Sequence, residues 1–131
     1  MVFVDTSALL AVLDASEQGH VLARDAWEQL VTNATPMLTT NYILVETMAL
    51  VQHRLGMEAA RVFQQDIAPM LQIFRINDSL HAIAVSAVLV ANRRNLSLVD
   101  CSSFEVMRRQ AVIQAFTLDR HFAEQGFMCI P

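Results

Sequence analysis

A chain of 131 residues, 54% hydrophobic and 17% charged, can bury a packed core; that excludes an intrinsically disordered chain and points to one domain rather than two. Thirteen Asp and Glu stand against nine basic residues, all of them Arg, giving a formal charge of −4 that excludes a surface uniformly basic for nucleic acid. A local site holding metal cations remains open to it.

Met1-Val2-Phe3-Val4-Asp5 has no basic segment ahead of an apolar one, so it does not read as a secretory signal. Val2-Phe3-Val4 is instead a short buried strand that stops at Asp5, and Thr6-Ser7 can cap a helix over 8–14. Leu22, Ala23, Ala26, Trp27, Leu30 and Val31 form the apolar stripe of a helix over 20–31. After Pro36 comes a strand at 37–40, then a helix over 41–55 closed by Gly56, and another over 57–67 ahead of Pro69. Alternation predicts a strand at 71–76.

Asn77-Asp78-Ser79 offers caps for a helix over 80–93, apolar on nearly every side and hence either internal or covered by a partner. Its run from Ala82 to Ala91, interrupted by Ser86, is too short to cross a bilayer. A helix over 100–109, a strand at 111–117, a short helix over 119–124 and a last strand at 127–130 complete the chain. Strands alternating with helices predict an α/β, three-layer sandwich: a small, mainly parallel sheet flanked by helices on both faces. Cys101 and Cys129 lack CxxC spacing and suggest neither a zinc site nor a disulfide framework. The expectation is a soluble, cytoplasmic protein with no membrane contact, folded as a single domain over 1–131.

Asp5 directly follows the first strand, and Asp119 follows the strand ending Phe116-Thr117. Ligands in open parallel sheets bind beyond the carboxyl ends of the strands, so both acids belong to one rim, although either can simply cap the next helix. Glu46 has Tyr42, Ile43, Ala49 and Leu50 as its helical neighbours, and a carboxylate on so apolar a face needs a cation, donors, or an escape to water or to Arg54. Asp100 opens a helix and is, taken alone, a cap. Four acids converging on one rim would repel unless divalent ions compensated them. An all-oxygen site suits Mg2+ or Mn2+, which can polarise a phosphodiester and activate water.

These residues carry a resemblance. Val4-Asp5-Thr6-Ser7-Ala8, Glu46 within a helix, Leu96-Ser97-Leu98-Val99-Asp100-Cys101, and Phe116-Thr117-Leu118-Asp119-Arg120-His121-Phe122 followed by Gly126-Phe127 together resemble the PIN-domain ribonucleases. The likeness is to the VapC-type toxin branch and similar stand-alone prokaryotic PIN proteins, and it runs in order from Asp5 to Phe127. It implies a PIN-like fold and a catalytic, metal-binding quartet of Asp5, Glu46, Asp100 and Asp119. It also implies that the hydroxyls of Thr6, Ser7 and Thr117 orient carboxylates or water. Metal-dependent endonucleolytic cleavage of RNA, a homodimer, and a small antitoxin that covers the site are its further implications.

With no Lys, phosphate contacts fall to Arg, and Arg108, Arg109 and Arg120 are the candidates, although Arg108-Arg109 also suits a helix C-terminus. His121 reads as structural or partly exposed rather than as a general base. An alternative function is a regulatory or RNA-binding PIN-like module that works through complex formation without cleavage. A phosphatase using Asp5 as a covalent nucleophile is disfavoured, because Ser7 stands where its second acid is needed and no Lys is present to bind phosphate.

Overall fold

Strand β1 (Val2–Val4) lies at the centre of a five-stranded sheet in the computed structural model, which describes residues 1–131. All three of its residues are buried, as a strand covered on both faces requires. The other strands are β2 (Met37–Thr40), β3 (Gln72–Phe74), β4 (Gln114–Phe116) and β5 (Met128–Ile130), in the order β3-β2-β1-β4-β5. Every neighbouring pair is parallel; Phe3 lies opposite Leu38 on one side and Ala115 on the other.

Seven α-helices make the connections. Helices α1 (Thr6–Leu13) and α2 (His20–Thr32) join β1 to β2, and α3 (Asn41–Leu55) and α4 (Met57–Val62) join β2 to β3. Helices α5 (Asp78–Ala91) and α6 (Leu98–Arg109) lead to β4, and α7 (His121–Glu124) to β5. Strand order runs outward from β1 first through β2 and β3, then restarts on the other side with β4. Because such crossovers are right-handed, that restart puts the two sets of helices on opposite faces. The three-layer α/β sandwich expected from the sequence is therefore present. Its core includes Phe3, Leu9, Ile43, Met107 and Phe116, with Phe122 edge-on to Phe104 at 4.9 Å and close to Phe3 and Phe127.

Several boundaries differ from expectation for local reasons. The cap of α1 is Asp5, not Thr6 or Ser7. Past Val62 the fourth helix widens into a π-helical turn, Phe63–Ile67, and tightens into a 3-10 turn, Ala68–Met70, around Pro69. Strand β3 keeps only the middle of the 71–76 run. Strand β4 starts at Gln114 because α6 ends in a reversal: Ala111 takes a left-handed conformation (φ 54°) and Val112 N–H returns to Met107 O. Gly56 closes α3 at φ 92°, a conformation open to glycine. Helix α5 is not internal: of its residues only Leu80 and Ala84 are buried. No helix is long and apolar enough to cross a membrane.

Candidate active site

The restart in strand order falls between β1 and β4, and parallel sheets open a crevice beyond the strands at such a point. Asp5 leaves β1 there, and Thr117 to Asp119 leave β4. Asp5 is only 4% exposed, and its Oδ2 accepts from Ser7 Oγ (2.7 Å), Ser7 N–H (3.2 Å) and Thr117 Oγ1 (3.0 Å). The two hydroxyls in turn accept backbone donors, Leu118 N–H on Ser7 and Asp119 N–H on Thr117, each at 2.9 Å. Each hydroxyl has one proton and gives it to Asp5, so the 3.1 Å Ser7–Thr117 contact follows from the shared acceptor and is not a further bond. Burial raises the Asp5 carboxyl to about 6 against the pull of these donors, and nearby Asp100 adds to the rise.

Asp100 sits in the first turn of α6, where Ser97 is the cap. Asp100 N–H donates to Ser97 Oγ (3.1 Å) and Ser97 N–H returns to Asp100 Oδ2 (3.0 Å), a capping box. Asp119 accepts the His121 N–H on Oδ1 at 2.9 Å. Capping and site-forming roles thus coexist in these acids. In each of Asp5, Asp100 and Asp119 a single oxygen takes every hydrogen bond, leaving Oδ1, Oδ1 and Oδ2 respectively without one.

Glu46 reaches the same place from α3. Thr47 Oγ1 donates to Thr6 Oγ1 at 3.0 Å, which frees the Thr6 proton for Glu46. Burial raises the Glu46 carboxyl, the Thr6 hydroxyl lowers it, and the charges of Asp100 and Asp119 raise it again. Asp100 is likewise raised, by burial first and then by Asp119, while its bonds to Ser97 and the nearby His121 lower it. Asp100 is therefore within electrostatic reach of Asp5, Glu46 and Asp119, and Glu46 of Asp119 as well, with Thr6, Ser7 and Thr117 bonded among them. No Arg pairs with any of the four; Arg54, the alternative partner for Glu46, pairs with Glu17 at 3.8 Å.

Crowded carboxylates with unbonded oxygens and no arginine counter-ion fit a divalent cation. Ligand atoms of Asp100, Asp119 and His121 lie within 4.8 Å of one another and could hold a metal ion. His121, which the sequence presents as structural or partly exposed, is buried beside Asp119.

The arginines divide differently from expectation. Helix α6 starts at the acids and runs toward the edge where β4 begins, so Arg108 and Arg109 lie at the far end, about 12 Å along the axis at 1.5 Å per residue. Arg108 donates to Gln125 and lies over the Phe127 ring, and Arg109 pairs with Glu105 at 2.9 Å. Arg120, 82% exposed in its side chain, stands beside Asp119, with Glu124 4.0 Å away.

Known proteins bear on this arrangement. The PIN domain profile matches residues 2–128. The 23S rRNA-specific endonuclease VapC20 of Mycobacterium tuberculosis, in strains CDC 1551 and H37Rv, is 29% identical over 129 residues, 98% of this chain and 96% of that protein. The crystal structure of M. tuberculosis VapC20, described as a Sarcin-Ricin loop cleaving toxin, matches with a TM-score of 0.85 and 28% identity, covering 98% of this chain and 97% of that one. FitAcB from Neisseria gonorrhoeae shares the fold, with a TM-score of 0.71 at 13% identity over 100% of this chain and 97% of that one. By its profile match across nearly its whole length, in a parallel sheet that gathers four acids at one crevice, this chain belongs to the PIN-domain family.

Proposed function

We propose that the chain, as one PIN unit over 1–131, is a metal-dependent endoribonuclease hydrolysing RNA phosphodiester bonds, and the toxin of a toxin–antitoxin pair acting in the cytoplasm. The observation that carries this reading is the convergence of Asp5, Glu46, Asp100 and Asp119 at the β1–β4 crevice. Likeness over 98% of the chain to an endonuclease named for 23S rRNA makes a structured rRNA loop the first substrate to try.

Asp5, Glu46, Asp100 and Asp119 would hold Mg2+ or Mn2+, whose Lewis acidity polarises a phosphodiester and acidifies water. The chain's own groups set up that chemistry. Ser7 and Thr117 hold Asp5 in one orientation and, with their protons committed to it, are not free nucleophiles; water attacks instead. Ser97 fixes Asp100, and the Thr6 hydroxyl favours the ionised form of Glu46. Arg120 contacts the RNA phosphate chain beside the acids. Arg108 and Arg109 serve only a strand long enough to pass beyond α6.

A homodimer formed through α5 accounts for its apolar solvent face, where Leu89 and Val90 are 72% and 85% exposed. A small antitoxin covering the acidic crevice is the partner that would silence the site.

The test incubates the purified protein with ribosomes, extracted rRNA and a synthetic stem-loop in Mn2+, Mg2+ or EDTA, beside Asp5→Asn and Asp100→Asn. Cleavage that needs the cation and is lost in both variants supports the reading. Cleavage surviving both rejects it. Cation binding without cleavage of any RNA turns it into the binding module.

A further inference from the structure

His121 is 7% exposed, and neither ring nitrogen has a hydrogen-bond partner. Its Nδ1 lies 2.9 Å from Asp119 Oδ1, yet that oxygen already takes the His121 backbone N–H at 2.9 Å, and the ring nitrogen is not aligned for a second bond. An unsatisfied buried polar group costs about 1–3 kcal/mol, so a ring left in this state calls for a ligand. The ring cannot swing away easily. Its backbone is pinned by Asp119, and Phe122, the next residue, is locked among Phe3, Phe104 and Phe127. Asp100 faces it from α6 and Asp119 from the β4–α7 turn, one ligand atom of each lying within 4.8 Å of the others. The other histidines differ: His20 Nδ1 is 2.7 Å from Ala11 O, His81 Nδ1 meets the Tyr42 hydroxyl, and His53 is exposed in the last turn of α3.

We infer that His121 is a nitrogen ligand of the bound cation, forming with Asp100 and Asp119 a mixed nitrogen–oxygen subsite that favours Mn2+ over Mg2+. The inference rests on the cation-binding reading above and replaces the all-oxygen site expected from the sequence. Its chemical basis is that Mg2+ takes oxygen donors and keeps its waters, whereas imidazole suits transition ions. Asp5 and Glu46 then supply oxygens on the remaining side.

The decisive measurement is pulsed EPR of the full chain loaded with Mn2+, before and after uniform 15N-histidine labelling. A directly bound imidazole nitrogen gives an electron spin-echo modulation that changes frequency on labelling, and this is the expected result. His121→Gln should abolish the modulation and weaken Mn2+ binding at least about tenfold, followed by the free-ion EPR signal, while Mg2+ competition changes less than about threefold. Restoring an oxygen donor with His121→Asp should shift the preference toward Mg2+. Circular dichroism melts check that both variants fold, and the labelled wild type decides the matter if they do not. Bound Mn2+ without nitrogen modulation, in a protein that still cuts RNA, overturns the ligand role and leaves the nuclease standing. Failure to bind Mn2+ at all overturns both.

Discussion

Thr117 and Asp5, 112 positions apart, are joined by a 3.0 Å hydroxyl-to-carboxylate hydrogen bond that ties the end of β4 to the end of β1. The same hydroxyl accepts Asp119 N–H at 2.9 Å, so one side chain orients two of the four acids. Thr117→Val keeps the shape and removes both bonds. It should lower stability by about 1–3 kcal/mol and cleavage at least about tenfold, with Thr117→Ser restoring most of each. Thermal melts and single-turnover cleavage check this; a Val variant as active as the wild type removes Thr117 from the site.

Charge crowding makes an opposite prediction for Asp100→Asn. An Asn at 100 can still accept the Ser97 N–H, but the charge that raises Asp5 and Glu46 is gone. In EDTA the variant should melt a few degrees higher than the wild type, on the order of 1 kcal/mol. With Mn2+ the ordering should reverse, and cleavage should fall at least about a hundredfold. Melting curves with and without the ion test the sign directly.

Asp5 sets a pH dependence. Its carboxyl rises from 3.8 to about 6 on folding, so between those values the folded chain binds more protons than the unfolded one. Without cations, stability should therefore fall as pH climbs from about 4 to about 6, by up to about 3 kcal/mol from this group, and the loss is complete above 6. Cations bind the ionised form, so Mn2+ affinity should weaken below about 6. Denaturation midpoints at pH 4.5 and 7, in EDTA and in Mn2+, resolve the two trends.

Leu89→Glu combined with Val90→Glu should convert a dimer into a monomer without loss of fold, since neither residue is buried. Sedimentation velocity reads the mass; a wild type that is already monomeric at high concentration removes α5 as the dimer face.

Most of the architecture was legible because strands covered on both faces leave unmistakable short apolar runs, as at Val2–Val4 and Met37–Thr40. The acids could be placed because three of them stand at the start of a helix or directly after a strand. Periodicity shows which face of a helix a residue occupies but not which end of the sheet it reaches, and so Arg108 and Arg109 were expected nearer the acids than they lie. Length was misjudged for β4, since the left-handed Ala111 that delays it has no glycine to announce it. A joint role for His121 and Asp100 is not legible from spacing, which sets His121 beside Asp119 alone; Asp100 is brought to it from α6 by the fold.

The seam between β1 and β4 has a consequence for synthesis on the ribosome. Asp5, Glu46 and Asp100 all emerge before Gln114–Phe116 can dock beside Val2–Val4, and Asp119 follows later still. A nascent or prematurely terminated chain ending ahead of that docking carries at most three of the four site acids and has no assembled cradle. The cradle is thus assembled only once β4 docks beside β1, so a fragment lacking residues 114–119 carries acids of the site without the site itself.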